Sequence, residues 1–275
     1  MRKLKENILK TLVYLSAVFT VTTLVVIVGY IIMQGIGGIN PKFLFSDYSA
    51  SGDGGILPMI VTTLYTVALS ILIATPIGIL SAIYLQEYAK KGKLVKYIRF
   101  ATESLSGIPS IIYGLFGGIF FVITLGMKYS ILSGSLTVAI IILPLIIRTT
   151  EEALKTVPQS YREASLALGS TKFQTLYKVV LPSAIPGILS GVILSVGRVI
   201  GESAAILLTA GTVAQMPGGI FDSARTLTVH AYLLTKEKGD IQTAASIGLV
   251  LIIMVLALNT IAKIVAKRLN KSNYY

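Results

Sequence analysis

Five long intervals of this chain carry no charged side chain: Lys10 to Lys42, Asp53 to Glu87, Glu103 to Lys128, Lys128 to Arg148 and Asp240 to Lys263. A sixth apolar stretch, from about Ser183 to Ala210, is interrupted only by Arg198 and Glu202. About 20 apolar residues suffice for a helix to cross the hydrocarbon core of a bilayer. Inside it every backbone donor and acceptor must be paired within the protein, which leaves helices as the economical solution for such segments. The expected fold class is therefore all-α integral membrane, with six transmembrane helices near 11–33, 59–85, 105–127, 131–147, 184–209 and 242–263. The charged fraction of 13% is about half of the roughly 25% usual in soluble domains, which excludes a water-soluble enzyme of this length. No Cys is present and His230 is the single His, so disulfides, iron–sulfur clusters, Cys-based zinc sites and a Ser–His triad are also excluded.

The net charge of +12 reflects topology and requires no nucleic-acid partner. Four Lys/Arg precede the first span, five follow the second (Lys90, Lys91, Lys93, Lys96, Arg99), five follow the fourth and four follow the sixth, giving 18 on one side. Five lie on the other side (Lys42, Lys128, Arg225, Lys236, Lys238), and Arg198 falls inside a span. The positive-inside rule then puts both termini and segment 148–182 in the cytoplasm of a cell-membrane protein. The first span is expected to be retained: its apolar run is longer than a signal peptide's, and no small-x-small cleavage site follows.

Segment 148–182 reads as two short helices. Pro158 suits the first turn of one, Gly169 its left-handed stop, and Thr171 with Gln174 a capping box for the next, which leads to Leu181-Pro182. Glu163-Ala164-Ser165, Gly169, Val179 and Leu181-Pro182 stand in the order and spacing of the EAA loop, which marks permease subunits of ABC importers. Ser165 and Val179 depart mildly from that pattern. The resemblance implies the type I importer permease (MetI-like) fold, with one transmembrane domain over 1–275. It also implies that Glu163, Ala164, Gly169, Leu181 and Pro182 dock into a groove of a separate cytoplasmic ATPase. From the residues alone, Glu163 serves an ionic contact with that partner or simply the solubility of its helix.

Two further stretches resemble the phosphate-specific branch of these permeases: Ser106-Gly107-Ile108-Pro109-Ser110-Ile111-Ile112-Tyr113-Gly114-Leu115 and Gly197-Arg198-Val199-Ile200-Gly201-Glu202-Ser203-Ala204. Ala257-Leu258-Asn259 before a basic tail is similar to the A-type rather than the C-type subunit. The glycines of the first stretch suit either close helix packing or a helix start that bends or lines a cavity. In the second stretch, Arg198 and Glu202 are four residues apart and would share one face of a helix. Each costs about 2.5–3.5 kcal/mol at mid-membrane on insertion scales, so both should face the protein interior or water. They are either a mutually neutralising pair that fixes packing or part of an anion pathway, and the resemblance favours the pathway.

No Gly-x4-Gly-Lys-[Ser/Thr] motif occurs, so no cofactor is expected on this chain and no catalytic or metal-binding residue is named. The resemblance implies that ATP and Mg are bound by the partner ATPase. The implied partners are a homologous C-type permease subunit, two cytoplasmic ATPase subunits, an external phosphate-binding protein and membrane lipid. The external connection 211–241, with Asp222, Arg225 and His230, is a candidate contact for that binding protein. Alternatives are a permease for another oxyanion (phosphonate, sulfate or molybdate) and, from a different class, an ATP-independent anion channel or carrier.

Overall fold

The computed structural model describes residues 2–49, 54–90 and 92–271, and all regular structure among the described residues is helical. The order is α1 (Arg2–Gly35), α2 (Pro41–Phe45), α3 (Leu57–Ile83), α4 (Lys93–Ser106), α5 (Ser110–Gly117), α6 (Ile131–Lys155), α7 (Gln159–Ala167), α8 (Lys172–Thr175), α9 (Leu181–Gly201), α10 (Ala204–Leu207), α11 (Leu227–Leu233) and α12 (Ile241–Lys271). Wide π-helical turns extend α3 through Tyr88, α5 through Thr124 and α11 through Lys238, and join α8 to α9. Five helical stretches are long and apolar enough to cross a membrane: Leu9–Gly38, Leu57–Tyr88, Ile131–Lys155, Lys172–Gly201 and Ile241–Ile264. The pair α4–α5, bent by 100°, makes a sixth if the two helices are taken together as one broken span.

The centre of the bundle is α3, α6 and α9. Val67, Ala74, Val138, Ile142, Ile146, Val199 and Ile200 form one buried apolar cluster, which Ile206 and Val229 extend. Several of the polar residues around it are satisfied within the bundle. The hydroxyls of Thr62, Thr63 and Thr66 donate to the carbonyls four residues back at 2.7–2.8 Å, which lets a threonine sit in an apolar helix without an orphaned group. Ser70 Oγ donates across to Ser135 O at 3.1 Å, joining α3 to α6. By contrast α1 leans on α12 at one end only. Gly35 lies against the backbone of Ala245 and Ser246, Ser246 Oγ donates to Gly35 O at 2.9 Å, and the apolar stretch of α1 is wholly exposed in the single chain.

Three expected spans differ in extent. The helix expected over 105–127 is broken: α4 and α5 meet at 100° across Gly107-Ile108-Pro109. Proline removes a donor and disfavours helical backbone in the residue before it, so Ile108 cannot continue α4. The helix expected to end at 147 runs on to Lys155, because no Gly or Pro lies between 147 and Pro158. The helix expected over 184–209 begins earlier, at Lys172, and stops at Gly201. Leu181-Pro182 accordingly lies inside a continuous helical run. Pro182 crowds the carbonyl four residues back, and the widened turn Leu176–Val180 immediately before it keeps that run unbroken.

Candidate functional site: the membrane-depth arginine and the helical hairpin

The last turn of α9 presents Arg198. Its neighbours Val199 and Ile200 are buried in the core, which fixes the helix face, and Arg198 itself points outward. Among the described residues it has neither an ion-pair nor a hydrogen-bond partner. The phenol of Tyr113 on α5 is within its electrostatic reach, and that phenol donates to Leu105 O at 2.8 Å. Close packing sets α5 in place: the backbone of Ala204–Ala205 abuts Gly114, and Thr137 and Thr209 abut Gly117. Gly114 and Gly117 thus serve packing, and the Gly107–Pro109 start makes the bend. Packing and bending fall to different residues of the stretch.

Glu202 does not share a helix face with Arg198, and no ion pair joins them. Helix α9 ends at Gly201, and Glu202 has extended backbone (φ −75°, ψ 130°). Its side chain is buried, with Oε1 accepting from the Ala205 N–H at 3.2 Å. The carboxylate caps the short α10 instead of neutralising the arginine. The break is held from outside, since Thr228 Oγ1 donates to Ile200 O, one of the last carbonyls of α9, at 2.6 Å. This corrects the expectation drawn from four-residue spacing, which assumed a helix unbroken to 209.

At the other end of the bundle, 156–180 forms a compact hairpin. Gly169 turns the chain with φ 84°, a conformation that glycine adopts without the usual side-chain clash. Thr171 and Gln174 form a reciprocal capping box, Thr171 Oγ1 accepting from Gln174 N–H at 3.2 Å and Gln174 Oε1 from Thr171 N–H at 2.9 Å. Ser165 and Thr175 hydroxyls meet at 2.9 Å and tie the two arms together. Glu163 and Ala164 are exposed, and Glu163 has no ion-pair partner among the described residues. Tyr161, Leu168, Phe173 and Tyr177 are also exposed, Leu168 at 88%, and the Phe173 and Tyr177 rings stack at 6.3 Å. A rigid element therefore presents apolar and aromatic surface around one free carboxylate, the usual composition of a docking face.

Within segment 211–241, helix α11 is more deeply embedded than a connecting loop. Leu227, Val229 and His230 of α11 are buried, and Leu227 N–H donates to Thr63 Oγ1 at 3.0 Å. The Tyr48 ring meets His230 edge-on at 5.6 Å and carries the Arg225 guanidinium over its face at 4.8 Å. Burial, followed by the positive charges of Arg225 and Lys238, pushes the His230 pKa down to about 3. His230 is thus a neutral, structural residue. Among the described residues no group of three or more His, Cys, Asp or Glu could hold a metal ion.

Residues 74–273 match the family described as binding-protein-dependent transport system inner membrane component. The chain is 35% identical to the probable ABC transporter permease protein YqgI of Bacillus subtilis, covering 95% of each. It is 32% identical to the phosphate transport system permease protein PstA of Mycobacterium leprae, over 94% of this chain and 87% of that one. Its fold is shared with a chain in the crystal structure of a bacterial alginate ABC transporter, at a TM-score of 0.72 and 16% identity over 96% of this chain and 95% of the other. With matching sequence and matching fold over most of its length, the chain belongs to the binding-protein-dependent transport system inner membrane component family.

Proposed function

We propose that this chain is one half of the membrane pathway of an importer for inorganic phosphate, driven by ATP hydrolysed on separate subunits. The observation that carries the reading is the exposed hairpin 156–180, with Gly169 at its turn and Glu163, Leu168, Phe173 and Tyr177 facing out. Such a face, at the end of a bundle with 18 of its 24 basic residues on the same side, suits a cytoplasmic ATPase that binds ATP and Mg. Both termini lie on that side under the positive-inside rule. Phosphate as the substrate is supported by relatives named as phosphate transport permeases. A homologous C-type permease completes the pathway, two ATPase subunits sit beneath, and an external phosphate-binding protein delivers the ion.

Arg198 is the anion-attracting residue of that pathway. A guanidinium stays charged at any physiological pH, and a site that conducts must attract without retaining. Glu202 contributes by holding α10 against α5, which shapes the wall beside Arg198. Uptake of labelled phosphate into liposomes holding this chain, a C-type homologue, the ATPase and the binding protein tests the reading. ATP-dependent uptake that excess sulfate, molybdate and phosphonate fail to suppress is expected. Competition by one of those oxyanions reassigns the substrate, and uptake by the chain without ATPase would make it a carrier.

A further inference from the structure

We propose that Arg162 is the strut through which movement of the hairpin enters the membrane bundle, and that Glu87 is its anchor; the proposal rests on the reading of the hairpin as the ATPase dock. Helix α7 buries no residue of its own, so it is not held to the bundle by an apolar core. Between the hairpin and the bundle lies a cavity of about 570 Å³, lined by Glu87, Lys155, Arg162 and Lys172 among others. Arg162 bridges it. Its Nη1 donates to Val157 O at 2.6 Å, and its Nη2 donates to Leu154 O at 2.9 Å and to Glu87 Oε1 at 2.8 Å. Both side chains are largely buried, at 14% and 13% exposure.

One planar guanidinium thus holds three elements together: α7, the end of α6 and the wide turn that closes α3. Arginine is suited to this because its donors are fixed in a rigid fork. A buried pair of this kind tolerates the loss of one partner poorly, since the remaining charge is left without its counter-charge. The connection continues beyond Glu87. Gln86, the residue before it, accepts from Arg99 Nη2 at 3.3 Å, and Arg99 also pairs with Glu151 of α6 at 3.1 Å. Arg99 belongs to α4, which leads through the Gly107–Pro109 bend into α5, whose Tyr113 lies within reach of the Arg198 charge. A push on α7 therefore reaches the broken span through side chains already in contact. Glu163, one residue on from Arg162, faces outward, so neighbouring positions of α7 meet the partner and the bundle respectively.

Arg162 and Glu87 are positioning residues, and the ratio of phosphate imported to ATP hydrolysed is the readout that a merely structural role would leave unchanged. The complete complex in liposomes is compared with Glu87→Gln and Arg162→Lys; the lysine keeps the charge and loses the fork. Both variants are expected to retain the ATPase and its hydrolysis while phosphate per ATP falls roughly 2- to 30-fold. An unchanged ratio in both, or hydrolysis and uptake falling in constant proportion, overturns the strut. Should Glu87→Gln not reach the membrane, the ratio in Arg162→Lys decides; should neither accumulate, the pair is structural and the proposal fails. Failure of the unmutated chain to retain the ATPase would instead remove the docking reading on which the proposal stands.

Discussion

An arginine exposed at membrane depth has to be solvated by something other than lipid, because about 2.5–3.5 kcal/mol opposes its transfer on insertion scales. In Arg198 nothing within the described chain meets that need, so a water-filled path or the neighbouring subunit does. Losing one charge-assisted contact to a passing anion, about 1.5–3 kcal/mol, lowers phosphate uptake roughly 10- to 150-fold in Arg198→Ala. Glu202→Gln keeps an oxygen for the Ala205 N–H and should keep most uptake. Since no ion pair links the two, the double-mutant cycle on uptake should give a coupling within about 0.5 kcal/mol; clear rescue of Arg198→Ala by Glu202→Gln would restore the paired reading. His230, two residues from the Thr228 that closes α9, makes a separate prediction. Its folded value of about 3 lies below the ordinary 6.5, so below that pH the unfolded chain binds a proton that the folded chain refuses. Stability is therefore unaffected above pH 7 and falls as pH drops from 6.5 toward 3, by about 2 kcal/mol at pH 5. Thermal unfolding in detergent at pH 7.5 and pH 5 should show a smaller acid loss for His230→Gln than for the unmutated chain. Equal losses would mean that the ring protonates in place.

At the scale of elements, the hairpin depends on one left-handed residue. A Cβ built on Gly169 would meet nothing within 4 Å, so substitution there tests backbone conformation with no local packing clash. Gly169→Asn, which tolerates positive φ, should keep coupled uptake within about twofold, whereas Gly169→Val, strained by about 1–2 kcal/mol, should lower it while the chain still inserts. Equal behaviour of the two variants in the liposome assay would show that the turn is not held in this conformation. The hairpin was legible in the sequence because its signals are local: Gly169 is a stop, and Thr171 and Gln174 speak across three residues. Helix α4 was not. Its Lys93, Lys96, Arg99 and Glu103 depress the average hydropathy, so 93–104 read as a connection although it is helical. The end of α9 was also missed, because Gly201 and Glu202 do not break a helix by themselves. Tertiary contacts decide there: Thr228 takes a terminal carbonyl, and α10 turns away to pack on Gly114. Arg162 and Glu87 are 75 residues apart, and no local pattern announces such a pair.

The whole chain has the surface of a half. The apolar stretch of α1 is uncovered, Ile112, Leu115, Ile119 and Ile123 of the broken span point outward, and Arg198 opens to the same exterior. Lipid can cover the apolar residues but not the arginine, which argues for a second permease subunit across that face. Orientation follows from a different property, the distribution of basic residues, and it predicts which end meets which partner. The chain contains no Cys, so single introduced thiols report without background. Leu168→Cys sits at the most exposed apolar position of the hairpin, and Phe221→Cys, at 66% exposure in the native residue, lies in the connection at the opposite end. An impermeant thiol reagent should label Phe221→Cys in intact cells and Leu168→Cys only in inverted vesicles. Labelling of Leu168→Cys from outside would reverse the topology. The same thiol then tests the dock: with the ATPase present, Leu168→Cys should become protected in inverted vesicles, while Phe221→Cys keeps its reactivity in intact cells. Unchanged reactivity of Leu168→Cys in an ATPase-bound complex would mean that the subunits meet elsewhere, and that the exposed aromatic face of the hairpin serves another contact.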